Sequence, residues 1–148
     1  MKRILILEDD DEKFSVVDRL IRKLFAGNYL KRVFSVNEAQ QMIKTEAFEI
    51  AIIDMSVPMF TGRPSFRGDL ESLGGEMVIR EIFRRKLPIK CLLVSGFDEF
   101  LYHGKEVTFE ELLLELMKRF PQVVGGVYYS SGRRGFSEDL RDLLSDYL

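Results

Sequence analysis

The sequence predicts an α/β domain, a doubly wound five-stranded parallel sheet with helices on both faces. Short apolar runs alternate with segments of helical periodicity from one end of the chain to the other. The run at residues 50–54 is nearly continuous in apolar character, as expected of a central strand covered on both faces. With 148 residues, 46% of them hydrophobic, the chain can build one core without a disulfide or structural metal, so a single domain over residues 1–148 is expected.

Residues 3–7 read as the first strand, and residues 11–25 carry Phe14, Val17, Ile21 and Leu24 at helical spacing before Gly27-Asn28 stops them. A second strand is predicted over 30–36, with Asn37 capping a short helix and Gln40 completing a capping box. Residues 50–54 form a third, central strand that ends on a carboxylate, Asp54. Pro58, Gly62, Pro64, Gly68 and Gly74 then break any periodicity, predicting a long loop over 55–74. A helix over 75–86, marked by Val78, Ile82 and Phe83, leads through Pro88 to a fourth strand at 89–94. After an irregular stretch, Thr108 and Glu111 make a capping box for a helix carrying Phe109, Leu112, Leu113, Leu116 and Phe120. A fifth strand at 123–129 precedes a last helix, lined by Leu140, Leu143, Leu144 and Tyr147 and capped by Ser137.

Composition narrows the function classes. The 22 basic and 24 acidic side chains nearly cancel, which gives no general attraction for nucleic acid. Arg80, Arg84, Arg85 and Lys86 end a helix, where cations ordinarily complement the dipole. No run of about 18 apolar residues could span a bilayer, and no signal peptide opens the chain, so a soluble, cytoplasmic protein without membrane partners is expected. Cys91 lies within an apolar run and reads as a small buried hydrophobe without a redox role. His103, the single histidine, reads as a surface residue.

In doubly wound sheets ligands bind beyond the carboxyl ends of the strands. There the first strand offers Glu8-Asp9, followed by Asp10, Asp11 and Glu12, the third offers Asp54 and the fourth Ser95-Gly96. Asp10 and Asp11 read as helix-start charges complementing the dipole. Crowded carboxylates repel one another, and either a raised pKa or a bound cation resolves the conflict. Oxygen ligands without histidine or cysteine favour a hard ion, Mg²⁺ first.

The motifs Ile4-Leu5-Ile6-Leu7-Glu8-Asp9-Asp10, Ile52-Ile53-Asp54-Met55-Ser56-Val57-Pro58 and Leu92-Leu93-Val94-Ser95-Gly96 resemble the receiver domains of two-component response regulators. The resemblance runs nearly end to end and implies a flavodoxin-like (βα)5 fold with strand order 2-1-3-4-5. It implies that Asp54 accepts a phosphoryl group, that Glu8, Asp9, Asp54 and the backbone carbonyl of Ser56 hold Mg²⁺, and that Ser95 contacts the phosphoryl group. It also implies a histidine kinase or phosphotransfer protein as donor, and a downstream protein or a second copy of the chain as the receiver of the signal. Tyr128 or Tyr129 would be the aromatic residue that responds when Ser95 moves. No external substrate would be turned over, so the chain is not expected to be an enzyme beyond its own phosphorylation. With no output domain after Leu148, a stand-alone receiver is expected.

Receivers usually carry a lysine at the end of the fifth strand, and residues 128–136 contain none. Arg133 or Arg134 could supply that charge, although a planar guanidinium is not equivalent to an ammonium. The 59–74 loop and the 97–107 stretch are also longer than the family's. These departures motivate an alternative, a pseudo-receiver that binds partners without being phosphorylated. A flavodoxin-type nucleotide-binding enzyme is a third reading, weakened by the lack of any glycine-rich phosphate cradle.

Overall fold

The computed structural model describes residues 1–58, 60–61, 73–129 and 135–148. Five parallel strands form the sheet: β1 (Arg3–Leu7), β2 (Tyr29–Val33), β3 (Ile50–Asp54), β4 (Lys90–Ser95) and β7 (Val123–Tyr128), in the order β2-β1-β3-β4-β7. The expected topology is therefore present, with β7 as the last strand of the sheet. Alternation along the strands separates two cores. Ile4, Ile6, Ile50 and Ile52 face α1 (Asp11–Leu24) and α5 (Gly135–Ser145), whereas Leu5, Leu7, Ala51 and Ile53 face α2 (Val36–Thr45), α3 (Gly74–Arg84) and α4 (Phe109–Arg119). Cys91, the second residue of β4, is fully buried, with burial pushing its thiol up to about 12.

The stretch after β4, expected to be irregular, instead forms an antiparallel hairpin of β5 (Glu99–Tyr102) and β6 (Lys105–Thr108). His103 and Gly104 make its two-residue turn, both at positive φ, the geometry a tight hairpin needs. Phe100 and Tyr102 are buried while Glu99 is exposed, a period of two compressed into four residues. The Tyr102 hydroxyl lies 3.4 Å from Glu76 Oε1 on α3 and also meets Arg119 on α4, which ties the hairpin to both helices. Arg80 and Arg119 pair with that same carboxylate.

Several local expectations are corrected. Ser35, not Asn37, caps α2, accepting from the Glu38 N–H while Glu38 accepts from the Phe34 N–H. Ser137 lies inside the first turn of α5 and does not precede it. Leu24 is exposed, and the buried face of α1 is Lys13, Val17 and Ile21. The Thr108–Glu111 capping box is present as predicted. Arg84 and Arg85 are spent on Glu81, and Arg80 on Glu76, in keeping with their reading as helix-end charges. Most of the 59–74 loop lies outside the described residues. Among the described residues no helix is long and apolar enough to cross a membrane.

Candidate functional site

Strands β1 and β3 are neighbours, so the residues that close them meet at one edge of the sheet. Glu8 and Asp54 are buried and Asp9 is exposed, yet each brings a carboxylate oxygen within 4.8 Å of the others. Asp54 Oδ1 accepts from the Ser56 N–H at 3.2 Å and the Ser56 hydroxyl at 3.1 Å. These contacts orient the carboxylate. The first turn of α1 begins beside it: Asp10 caps the helix by accepting from the Glu12 N–H, as its helix-start reading requires, and also lines the cleft, whereas Asp11 pairs with Arg32 on β2.

A group absent from the expected site completes the constellation. Lys13, with its side chain only 6% exposed, places its ammonium 3.3 Å from Asp54 Oδ2 and 3.4 Å from Glu8 Oε1. Its sequence signal is the spacing Lys13, Val17, Ile21, which sets a lysine on the apolar stripe of α1. A stripe read from Phe14 instead conceals it, because Phe14 is one residue off that face and only half-buried.

Electrostatics follow from the crowding. Burial, reinforced by Asp54, pushes Glu8 up to about 9, and the same two causes raise Asp9. For Lys13, burial acts downward, but Asp54 and Glu8 outweigh it and its ammonium is held above the ordinary range. When all four groups are ionised, three carboxylates against one ammonium leave two negative charges in the pocket. An all-oxygen ligand set with that charge suits one hard divalent cation.

The site opens into a polar cleft of about 430 Å³, lined among others by Asp9, Lys13, Asp54, Ser56, Gly96 and Tyr129. Ser95 is fully buried at the end of β4, and its hydroxyl is committed to the backbone of Phe97, donating to the carbonyl at 2.7 Å and accepting from the N–H at 3.0 Å. The two tyrosines take opposite faces. Tyr128 packs towards α3 and α4, whereas Tyr129 packs edge-on against Phe136 and donates its hydroxyl to Glu12 at 3.2 Å. Arg133 and Arg134 lie outside the described residues. His103 is exposed at the hairpin turn, distant from the acidic site in sequence and stacked on Tyr102. A second cleft of about 520 Å³, at Phe83, Pro88 and Pro121, lies at the opposite end of the sheet and is lined by no carboxylate.

Topology, strand-end acids and cleft define the class: the fold is that of a response-regulator receiver domain. The chain is similar to the Detocs response regulatory protein DtcB of Enterobacter cloacae, 24% identical over 127 residues that cover 84% of this chain and 85% of that one. It is also similar to the uncharacterized protein y4jR of Sinorhizobium fredii, 22% identical with 95% of each chain covered. Among solved structures, a DNA-binding response regulator of the LuxR family from Staphylococcus aureus superposes with a TM-score of 0.67 at 18% identity, over 99% of this chain and 98% of that one. The response regulator protein TrrA from Thermotoga maritima, in complex with Mg²⁺ and BeF, superposes with a TM-score of 0.62 at 18% identity, over 97% of this chain and all of its own. No protein-family model matches the chain.

Proposed function

We propose that this chain is a phosphoacceptor receiver, which takes a phosphoryl group on Asp54 and signals through a protein partner. The observation that carries the reading is the state of Asp54: Oδ1 is held by Ser56, and the carboxylate lines a polar cleft beside two further carboxylates. An ionised carboxylate attacks phosphorus without a general base, so positioning and charge compensation are what the site has to supply. Glu8, Asp9, Asp54 and the Ser56 carbonyl would hold Mg²⁺, which offsets the repulsion between the carboxylate and the incoming phosphoryl group. Ser95 would exchange its Phe97 partner for a phosphoryl oxygen. The donor would be the phosphohistidine of a kinase or phosphotransfer protein, or a small acyl phosphate. The phosphoryl group stays on the chain and no external substrate is turned over. A downstream protein or a second copy of the chain would then read the altered surface.

Intact mass after incubation with acetyl phosphate and Mg²⁺ tests the reading. One phosphoryl adduct is expected on the wild-type chain and none on Asp54→Asn or in EDTA. A wild-type chain that neither gains an adduct nor binds beryllofluoride while folded would sink the proposal and favour a pseudo-receiver.

A further inference from the structure

Turning the Asp54 carboxylate into an acyl phosphate replaces one negative charge with about two, so with Glu8 and Asp9 ionised the acidic groups of the pocket rise from three charges to about four. One divalent cation offsets only two of these, so a resident positive charge close to the accepting oxygen is needed as well. Ser56 donates its N–H to Asp54 Oδ1, while its hydroxyl lies 3.1 Å from Oδ1 and 3.3 Å from Oδ2, so Oδ2 is the oxygen that the Ser56 backbone does not hold and the one we take to form the new bond. Lys13 Nζ stands 3.3 Å from that oxygen. Its ammonium also lies 6.0 Å from the Tyr129 ring centre, and a Cβ added at Gly96 would come within 3.7 Å of it, on the side of the pocket towards β4 and β7. The stem is buried along α1, so the charge is held in place and cannot swing out to solvent.

Resting on the phosphoacceptor reading above, we infer that Lys13, delivered from the first turn of α1, is the cation that contacts the phosphoryl group carried by Asp54. The last sheet strand therefore needs no basic residue for this purpose. In the transfer, a bond forms between Asp54 Oδ2 and phosphorus as the bond from phosphorus to the donor oxygen or nitrogen breaks, and that electron pair leaves with the donor. Lys13 remains an ammonium throughout. It gives up its contact with Oδ2 for one with a phosphoryl oxygen and keeps Glu8 as its second partner.

The bland alternative is that Lys13 only neutralises Glu8 and Asp54 while the pocket lacks a metal. Lys13→Met separates the two, since it keeps the stem and removes the charge. Three quantities are read: the Mg²⁺ concentration that raises the melting temperature of the unphosphorylated chain, the affinity for beryllofluoride at saturating Mg²⁺, and the rate of adduct formation with acetyl phosphate. The inference expects Mg²⁺ to bind as well as before or more tightly, because the pocket becomes more negative. It expects beryllofluoride affinity and adduct rate to fall by about 100-fold, the scale of losing one charged donor at a reacting group. Lys13→Arg should recover only part of the loss, because a guanidinium needs different room.

Wild-type beryllofluoride affinity and adduct rate in Lys13→Met, once Mg²⁺ is saturating, would overturn the inference and leave the phosphoacceptor reading intact. No adduct and no beryllofluoride binding on the wild-type chain would overturn both. If Lys13→Met does not fold without metal, Lys13→Gln with Mg²⁺ saturating throughout decides between the same outcomes.

Discussion

Gly74→Ala and Gly75→Ala are each expected to destabilise the chain by about 3 kcal/mol, the scale of overpacking a closed interior, seen as a lowered urea midpoint with little change in slope. Helix α3 starts on top of the chain that leaves β3. A Cβ at Gly74 would lie 2.1 Å from the Val57 carbonyl oxygen, and one at Gly75 would lie 2.8 Å from the Asp54 carbonyl oxygen and 2.9 Å from Met55 Cα. These neighbours are backbone and cannot rotate aside. The Gly75 N–H also donates to the Met55 carbonyl at 3.1 Å, so retreat of the helix breaks a hydrogen bond as well. Gly135→Ala in α5 serves as the control, since among the described residues its Cβ would meet only the Asp139 carboxylate at 3.8 Å, and its stability should be unchanged or slightly higher. Unaltered urea midpoints for both α3 variants would show that the helix is not seated this closely. Because the displaced backbone is that of Asp54 and Met55, the Gly75 variant should also lose adduct formation in step with stability.

The second large effect is a dependence of stability on pH, which Mg²⁺ is expected to flatten. Glu8, pushed up to about 9 from an ordinary 4.5, holds a proton in the folded chain that the unfolded chain has already released between those values. Stability from this group is thus fully present below about pH 4.5 and drains as pH rises towards 9, by at most about 1.4 kcal/mol per pH unit. Asp9 is raised for the same reasons and acts in the same direction. Lys13 is raised too, but a raised ammonium contributes stability that is lost only above its unfolded value, outside this window. In EDTA the melting temperature should therefore fall from pH 5 to pH 8. With millimolar Mg²⁺ a cation takes the place of the proton, and the slope should flatten. Glu8→Gln should flatten it without metal. A metal-free melting temperature that rises over this range would mean that Glu8 is ionised in the folded chain.

Much of this site was legible without coordinates because strand ends are legible. A five-residue apolar run such as Ile50–Asp54, set among alternating helical segments, reads as a central strand, and its closing carboxylate then stands at the ligand-binding edge beside Glu8 and Asp9. What stayed hidden depended on side-chain direction. Lys13 differs from any solvated helix lysine only in sharing a face with Val17 and Ile21, and a one-residue shift of the stripe to Phe14 places it in solvent. Ser95 was correctly set at the end of β4, but its attachment to Phe97 is a rotamer choice that sequence does not encode. The hairpin escaped because four-residue strands carry too little alternation to register, and because His103-Gly104 departs from the Asn-Gly or Asp-Gly pairs that signal such turns. Ser35 was passed over as a cap because the preceding strand was drawn too long, through residue 36.

The solitary thiol near the start of β4 turns the molecule into its own clock. Alkylating reagents attack thiolates, and Cys91 has neither solvent contact nor an accessible thiolate near neutral pH while β4 lies between β3 and β7. Each labelling event therefore counts one excursion in which the core around Cys91, between the sheet and the helices that cover that face, has opened. With a single cysteine in the chain the count has no background from a second site. The labelling rate, followed with and without Mg²⁺ and beryllofluoride, converts occupancy at the strand ends into the lifetime of that core.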